Sequence, residues 1–364
     1  MKRVLFLTNL PTPYRIDFYR ELGKLCDLTV VIEARRSKDL HFNWNDNDIK
    51  TFTLHYLNDG LLDEEKVNWS VLSFLSKKKF DVIVVSTYHT YTGMLSLAYM
   101  KARNIPYVFE TDGGMIADAE SAAKKWYKTK LIKGAKVYFS PSTGSDEYLA
   151  YYGANREYIH RYPFSSLSDV DVLPNPLSRE EKLDIRQKLG VKESKMILGV
   201  GQFIHRKGFD VMMKAAKDMD KNIGIYIVGG KPTEEYQKMQ ADYDLTQIHF
   251  EGFKTKTELT EYFKAADLFV LPTREDIWGL VINEAMAYGL PVVTTNRCVA
   301  GMELISDKDC LVDIDNPHQL KNIMEILMTD DERRGEIAVR NLTKIKGYTV
   351  EKMAEAHIKV FESL

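Results

Sequence analysis

The chain has 364 residues, of which 45% are hydrophobic and 28% charged, and its formal net charge is -2 at pH 7. A single hydrophobic core rarely serves a chain of this length, so two domains are expected. The small net charge argues against a nucleic-acid-binding surface spread over the whole molecule. Three widely spaced cysteines, Cys26, Cys298 and Cys310, indicate neither a disulfide framework nor a zinc site and favour a reducing cytosol.

The first apolar run, residues 4–7, is shorter than the apolar segment of a signal peptide and predicts a buried strand instead. No stretch approaches the roughly 20 apolar residues that a membrane-spanning helix needs. The sequence therefore predicts a chain that does not cross a bilayer.

Short apolar runs alternate with segments of helical period along the whole chain, which is the pattern of parallel sheets built from strand–helix–strand units. In the first half the predicted strands are residues 4–7, 28–33, 81–86, 107–110 and 137–140, and the predicted helices are residues 14–25, 91–103 and 117–132. In the second half the predicted strands are residues 196–203, 224–228, 248–250, 268–271 and 292–295, and the predicted helices are residues 209–219, 256–266 and 280–288.

A passage rich in proline and serine, residues 162–176, separates the two halves. The sequence thus predicts an α/β chain with two doubly wound, Rossmann-like domains of parallel sheets, residues 1–167 and 168–345, that face each other across a cleft. Ligands of such sheets bind beyond the carboxyl ends of the strands, so each predicted strand end is a candidate site.

A basic turn follows the first strand of the second half. Arg206 and Lys207 come directly before a predicted helix that has Asp210 in its first turn. The free NH groups of a helix N-terminus and two cations would together bind a diphosphate, although a solvated basic turn explains the residues equally well. The next strand ends at Gly230, where the missing side chain lets backbone approach a ligand. By itself this signal is weak, because many such turns use glycine.

Two acids precede the apolar helix predicted at residues 280–288. Glu275 and Asp276 lie before its start, and Glu284 is the one carboxylate within it. A buried carboxylate is costly without a partner, so these acids suggest a hydroxyl-rich ligand, with Glu284 accepting hydrogen bonds from two sugar hydroxyls. The alternative is that Glu284 is an ordinary surface residue.

Three segments, residues 201–210, 251–253 and 274–287, together resemble the retaining glycosyltransferases with a GT-B fold, of the large family 4 type that includes bacterial polysaccharide-assembly enzymes. The resemblance covers the second half and, more loosely, the first. It implies transfer of a sugar from a nucleotide-diphosphate sugar, with UDP the first choice and GDP the second. The acceptor would be a glycan or a lipid-linked molecule in surface polysaccharide or glycoconjugate biosynthesis. In this fold the last segment, here residues 346–364, is a helix that crosses back to the first domain.

The resemblance also implies roles for individual residues. Arg206 and Lys207 would neutralise the donor diphosphate, and Glu284 would hold the nucleotide ribose. Residues 276–280 would meet the donor sugar and phosphate, and residues 252–254 would lie against the base. The implied donor-binding residues are Gln202, Gly230, Gly252, Phe253, Lys254, Gly279, Leu280, Val281 and Glu284.

Several positions depart from the family's pattern. The family spaces two glutamates by seven residues, and counting back from Glu284 reaches Asp276, with Glu275 adjacent, so either acid could serve. Gln202 replaces an arginine, whose charge Arg206 would supply. Two departures lie in the first half. Asp112 occupies the place of a common histidine. Arg15 and Gly113 would contact the acceptor or a phosphate, although Arg15 would equally serve only to solvate a helix start.

By analogy with the family, the leaving diphosphate stabilises the charge that develops in the transition state and takes the acceptor's proton. Neither a metal nor a cofactor is then expected, and no pair of aspartates at a strand end suggests a metal site. Two alternatives remain: a nucleotide-sugar-binding protein without turnover, and a nucleotide-sugar epimerase with the same fold.

Residues 122–133 form a basic segment with interleaved aromatic residues, which suits the surface of an anionic membrane. Its lysines are Lys124, Lys125, Lys128 and Lys130. A packed helix with a solvated lysine face is the alternative. The expected localisation is cytoplasmic, at the inner face of the membrane if this segment binds lipid, and no nucleic-acid partner is expected.

Overall fold

The computed structural model describes residues 1–37, 49–117 and 119–364. These residues form two compact units, one of Met1–Ser168 with Tyr348–Leu364 and one of Asp169–Gly347. The helix predicted at residues 117–132 includes Asp118, which lies outside the described residues. Of the rest of that segment, Ala122–Ile132 is helical.

Within the described residues each unit contains one parallel sheet. The strands of the first unit are β1 (Arg3–Thr8), β2 (Asp27–Ile32), β3 (Thr53–Tyr56), β4 (Val82–Val85), β5 (Val108–Glu110), β6 (Val137–Ser140) and β7 (Ile159–Arg161). Those of the second unit are β8 (Lys195–Val200), β9 (Ile223–Val228), β10 (Ile248–Glu251), β11 (Leu268–Leu271), β12 (Val292–Thr295) and β13 (Leu311–Val312). All of the pairings between these strands are parallel.

Helices connect the strands in both units. The first four are α1 (Pro13–Leu22), α2 (Tyr91–Ala102), α3 (Ala122–Ile132) and α4 (Thr143–Tyr151). The next five are α5 (Arg179–Leu189), α6 (Phe209–Ala216), α7 (Glu234–Asp242), α8 (Lys256–Ala265) and α9 (Leu280–Ala287). The last four are α10 (Val299–Leu304), α11 (Pro317–Thr329), α12 (Asp331–Ile345) and α13 (Val350–Glu362).

The order of the strands creates the positions at which ligands of such sheets bind. The first sheet has the order β3-β2-β1-β4-β5-β6-β7, and the second has the order β10-β9-β8-β11-β12-β13. The direction of winding therefore reverses between β1 and β4 and again between β8 and β11. The loops that leave the carboxyl ends of these strands diverge there and open a crevice.

Burial explains why the central strands form where the sequence predicts them. Residues 4–7 of β1 and all of β4 are buried, as expected of strands that helices cover on both faces. In the second unit, β9 and β11 are likewise buried along their whole length. The predicted fold class, two doubly wound α/β domains, is confirmed.

Several predicted boundaries differ from the structure. The strand predicted at residues 196–203 ends at Val200, because the chain turns at Gly201 towards the basic turn. Strands β3, β7 and β13 were not predicted, nor were helices α4, α5, α7, α10, α11 and α12. No helix among the described residues is long and apolar enough to span a membrane.

Candidate functional site

The basic turn of the second unit is held against the loop that follows β11. Residues His205–Lys207 form one turn of 3-10 helix, and Gly208, with φ of 70°, leads into α6. A Cβ atom at Gly208 would lie 1.9 Å from the carbonyl oxygen of Pro272, so only glycine fits this approach. The loops after β8 and β11 are therefore in direct contact at the switch point of the sheet.

Two cations of this turn meet the acidic loop. The Lys207 ammonium donates a hydrogen bond to Asp276 Oδ2 at 2.6 Å. Arg206 Nη1 donates to the carbonyl oxygen of Glu275 at 2.9 Å and lies 3.6 Å from Asp276 Oδ2. The Asp276 side chain is largely buried, whereas that of Arg206 is 47% exposed. Two cations against one carboxylate leave a positive charge that can receive an anion.

Arg274, in the loop after β11, also contacts the loop after β8. Its guanidinium donates to both carboxylate oxygens of Asp210 at 2.8 Å and also to the carbonyl oxygen of His205. Burial raises the pKa of Asp210, but the hydrogen bonds from Arg274 and Lys214 outweigh it, so this pKa lies below its ordinary value. Arg274 thereby links both the start of α6 and the basic turn to the loop after β11.

The start of α9 is fixed by close packing. Gly279, with φ of 97°, precedes the helix, and a Cβ atom there would lie 2.8 Å from Cys298 Sγ. The buried Trp278 donates its indole NH to Asn283 Oδ1 at 2.9 Å. Leu280 and Glu284 lie one turn apart on the same side of the helix, and both are half-buried.

The other predicted donor-binding residues leave the carboxyl ends of neighbouring strands. Gly230 follows β9 and Gly252 follows β10, and a Cβ atom at either position would meet no atom within 4 Å. Phe253 is 82% exposed, and Lys254 forms an ion pair of 3.0 Å with Glu251. The exposed Gln202 follows β8, and the half-buried Val281 lies in the first turn of α9. Because β10, β9, β8 and β11 are adjacent parallel strands, all these positions lie at the carboxyl ends of the strands.

The first unit brings together Arg15 and Asp112 at its own switch point. Arg15 Nη2 lies 2.5 Å from Asp112 Oδ2, which also accepts a hydrogen bond of 2.8 Å from the Tyr14 hydroxyl. Arg15 is only 7% exposed and also donates to Ser86 Oγ at 2.9 Å. Burial disfavours its charge, but Asp112 raises the pKa of Arg15 well above the ordinary value. Arg15 is thus engaged within the protein, beside a half-buried Gly113.

A buried pair extends this network to the last helix. His357 of α13 is fully buried, and its Nε2 lies 3.0 Å from Glu110 Oε2. Its Nδ1 donates to the carbonyl oxygen of Met353 at 2.7 Å. Because a carbonyl oxygen only accepts, Nδ1 is the donor in that bond. Glu110 is in turn 4.0 Å from Arg15.

No group of three or more His, Cys, Asp or Glu side chains that could hold a metal ion occurs in residues 1–37, 49–117 or 119–364.

The sequence of the chain is similar to those of known glycosyltransferases. Residues 181–341 match the family described as glycosyl transferases group 1. The chain is 25% identical over 354 residues to a D-inositol 3-phosphate glycosyltransferase of Xylanimonas cellulosilytica, covering 93% of this chain and 76% of that protein. It is 24% identical over 323 residues to a mannosylfructose-phosphate synthase of Agrobacterium fabrum, covering 78% and 70%.

A solved structure extends the likeness to the fold of the whole chain. The crystal structure of Anabaena Alr3699/HepE in complex with UDP and glucose superposes with a TM-score of 0.76 and 16% identity, and the match covers 100% of both chains. The chain has the GT-B fold, and its residues 181–341 match the glycosyl transferases group 1.

Several residues that shape the site were not among the predicted site residues. Arg274 stands in a matched segment, yet only the structure reveals its contact with Asp210. Tyr14 and His357 were likewise missed, because their partners lie far away in the sequence. An arginine between a strand end and two acids is a signal that could have identified Arg274.

Proposed function

We propose that the protein is a glycosyltransferase that transfers a sugar, with retention of configuration and without a metal ion, from a nucleoside diphosphate sugar. UDP-sugars are the first choice of donor and GDP-sugars the second. The acceptor proposed is a glycan or a lipid-linked molecule in surface polysaccharide or glycoconjugate biosynthesis. The observation that carries the proposal is the contact of Arg206 and Lys207 with the acidic loop before α9.

The diphosphate would lie between the basic turn and the start of α9. Arg206 is half exposed and can move to a phosphate oxygen, while Lys207 can share its ammonium between Asp276 and a second phosphate oxygen. The free NH groups at the start of α9 add partial positive charge. These groups would stabilise the diphosphate as the bond between its oxygen and the anomeric carbon breaks.

The electron pair of that bond leaves with the diphosphate. The acceptor oxygen then forms its bond to the anomeric carbon on the same face, and the acceptor proton passes to a phosphate oxygen. No protein nucleophile takes part in this scheme. Glu284, half-buried on α9, would accept hydrogen bonds from the ribose hydroxyls, and Phe253 and Lys254 would lie against the base.

The two acids before α9 can be assigned different tasks. Asp276 accepts the hydrogen bond from Lys207, so we assign it to positioning that cation. Glu275 has an exposed side chain, so we assign it to the hydroxyls of the donor sugar. Asp276→Asn should then weaken binding of the nucleoside diphosphate and of the intact donor alike, whereas Glu275→Gln should weaken only the sugar-bearing donor. A Glu275→Gln variant that loses the same affinity for the nucleoside diphosphate as for the donor would contradict this division.

Product analysis separates this function from its two rivals. An enzyme converts donor and acceptor into a nucleoside diphosphate and a glycoside, whereas a binding protein returns the donor intact. An epimerase changes the sugar without releasing nucleotide. Proton NMR of the glycoside then reports the anomeric configuration, and an inverted product would contradict the retaining mechanism.

We also propose that α3 contacts an anionic membrane from the cytoplasmic side. Only Ile132 is buried in this helix, and Trp126 is 64% exposed. Lys128 forms an ion pair of 2.9 Å with Glu120, and Lys125 lies 3.7 Å from the centre of the Tyr151 ring. Lys124 and Lys130 are exposed, so they and Trp126 would make the contact.

Vesicle sedimentation tests this contact. Vesicles with anionic lipid should sediment the protein at low salt, and replacing Lys124, Lys130 and Trp126 by serine should abolish binding. Replacing Lys188, Lys192 and Tyr158, which lie outside α3, by serine is the matched control. Equal binding of neutral and anionic vesicles would refute the proposal.

A further inference from the structure

A second polar cavity lies at the amino ends of the strands, and the candidate donor site lies at their carboxyl ends. Its volume is about 420 Å³, and its lining includes Lys195, Asp267 and Pro291. Lys195 begins β8, Asp267 directly precedes β11, and Pro291 directly precedes β12. In a parallel sheet the amino ends of all strands share one edge, whereas the basic turn and α9 start at the other. The cavity is therefore separate from the candidate donor site within the second unit.

The lining of this cavity carries an excess of positive charge. Two carboxylates, Asp267 and Asp331, line it together with five cations. The cations are Arg179, Lys182, Arg186, Lys195 and Arg334. The chain as a whole is slightly acidic, so this local excess of three positive charges runs against its average. Such a local excess raises the potential and favours an anion.

Internal partners engage some of these charges: Lys195 lies 3.7 Å from Asp331, and Arg334 also pairs with Asp331. Arg186 is buried against Asp267 at 2.6 Å and against the carbonyl oxygen of Ala265. Lys182 donates to the carbonyl oxygen of Ala266 at 2.7 Å, but its distance to Asp267 is 3.9 Å. Within the described residues Arg179 forms neither a hydrogen bond nor an ion pair.

The Lys182 ammonium is poorly compensated. Burial lowers the pKa of Lys182 to about 8; Asp267 opposes this shift, and Arg186 and Arg334 add to it. A cation whose charged form is disfavoured in this way gains from an anion that comes within hydrogen-bonding distance.

The cavity also has room for a ligand. Arg179 is the first residue of α5, and Asp331, Arg334 and Gly335 belong to the first turns of α12, so the cavity lies beside the starts of two helices. A Cβ atom at Gly335 would meet nothing within 4 Å, so there is open space beside this backbone. The volume exceeds what one inorganic ion fills and is in the range of small-molecule sites.

We propose that this cavity binds a small phosphate-bearing molecule, with Arg179 and Lys182 as its principal cationic ligands. The ligand would be inorganic phosphate or a phosphate monoester, which present the same dianionic group. Helix α9 begins at the candidate donor site and ends beside Tyr288 and Gly289, which line this cavity. A bound phosphate would therefore lie at the far end of the helix that carries Glu284.

Titration of the full chain tests the proposal. Line broadening of phosphorus-31 NMR signals is followed with inorganic phosphate and, separately, ribose 5-phosphate, with chloride keeping the ionic strength constant. Arg179→Glu is the test variant, because Arg179 is exposed and an acid at a helix N-terminus is tolerated. Lys188→Glu makes the same change of charge on the same helix outside the cavity and is the control.

The proposal expects saturable binding that Arg179→Glu weakens about tenfold and Lys188→Glu weakens less than about twofold. Tighter binding of ribose 5-phosphate would identify a phosphate monoester as the ligand, and equal binding would identify the phosphate group alone. An Arg206→Ala variant keeps the two sites apart, since it removes a cation of the donor site only. Binding lost in Arg206→Ala and kept in Arg179→Glu, or equal losses in Arg179→Glu and Lys188→Glu, would overturn the proposal.

Discussion

Replacing Arg274 by methionine should destabilise the second unit by about 3 kcal/mol. The guanidinium and the Asp210 carboxylate are 14% and 15% exposed, and two hydrogen bonds of 2.8 Å join them. Removing one partner of a buried ion pair costs about 3 to 5 kcal/mol, because the other charge stays buried. The lower value applies here, since Lys214 still lies 3.2 Å from Asp210. Methionine keeps most of the aliphatic packing.

Urea unfolding of wild type and variant measures this difference. Arg340→Met is the control in the same unit, because Arg340 is 48% exposed in its pair with Asp307 and should contribute less than about 1 kcal/mol. The folded-state pKa of Asp210 is lowered, so its stabilisation is complete above the unfolded pKa of about 3.9 and is lost as pH falls through the folded value. The reasoning fails if the two variants lose the same stability at pH 7, or if Arg274→Met loses equally at pH 7 and pH 2.

Three further predictions concern separate parts of the molecule. Gly279→Ala should cost about 1 to 2 kcal/mol, because its φ of 97° strains an L-residue, and should weaken donor binding; an unchanged urea midpoint would contradict this. Burial raises the pKa of Glu33 to about 7, so the contribution of Glu33 to stability falls as pH rises from about 4 to 7. Glu33→Gln should therefore be more stable than wild type by up to about 3 kcal/mol at pH 8 and similar at pH 4. Free energies of unfolding that change in parallel with pH in the two proteins would argue against this prediction. His357→Leu should cost about 1 to 3 kcal/mol because Glu110 loses its imidazole partner, and His357→Gln should lose less; the reverse order in urea unfolding would exclude this role.

The central strands could be predicted from the sequence because burial on both faces makes them continuously apolar. Residues 4–7 of β1 and the four residues of β11 are examples. Strand β3 was missed because its residues, at the edge of the sheet, alternate between exposed and half-buried, and β13 has only two residues. Helix α5 is so polar that only Arg186 is buried, although the capping box of Ser178 and Glu181 marks its start.

Residues of the candidate site could be predicted where they cluster in the sequence. Glu275, Asp276 and Glu284 belong to one segment, and so do Arg206 and Lys207. The contacts between segments could not be predicted, because they depend on how the chain folds back on itself. Arg274 and Asp210 are 64 positions apart, Arg15 and Asp112 are 97 apart, and His357 and Glu110 are 247 apart.

The central claim is that the second unit binds a nucleoside diphosphate through its basic turn. Calorimetric titration of UDP, GDP, ADP and dTDP, and of the four matching nucleosides, into wild type and Lys207→Met measures this directly. At least one diphosphate should bind wild type and lose about tenfold or more in affinity in the variant, because a charge-assisted hydrogen bond is removed, while its nucleoside binds both proteins equally. A wild-type protein that binds none of the diphosphates, or a variant that binds them as tightly as wild type, would contradict the account.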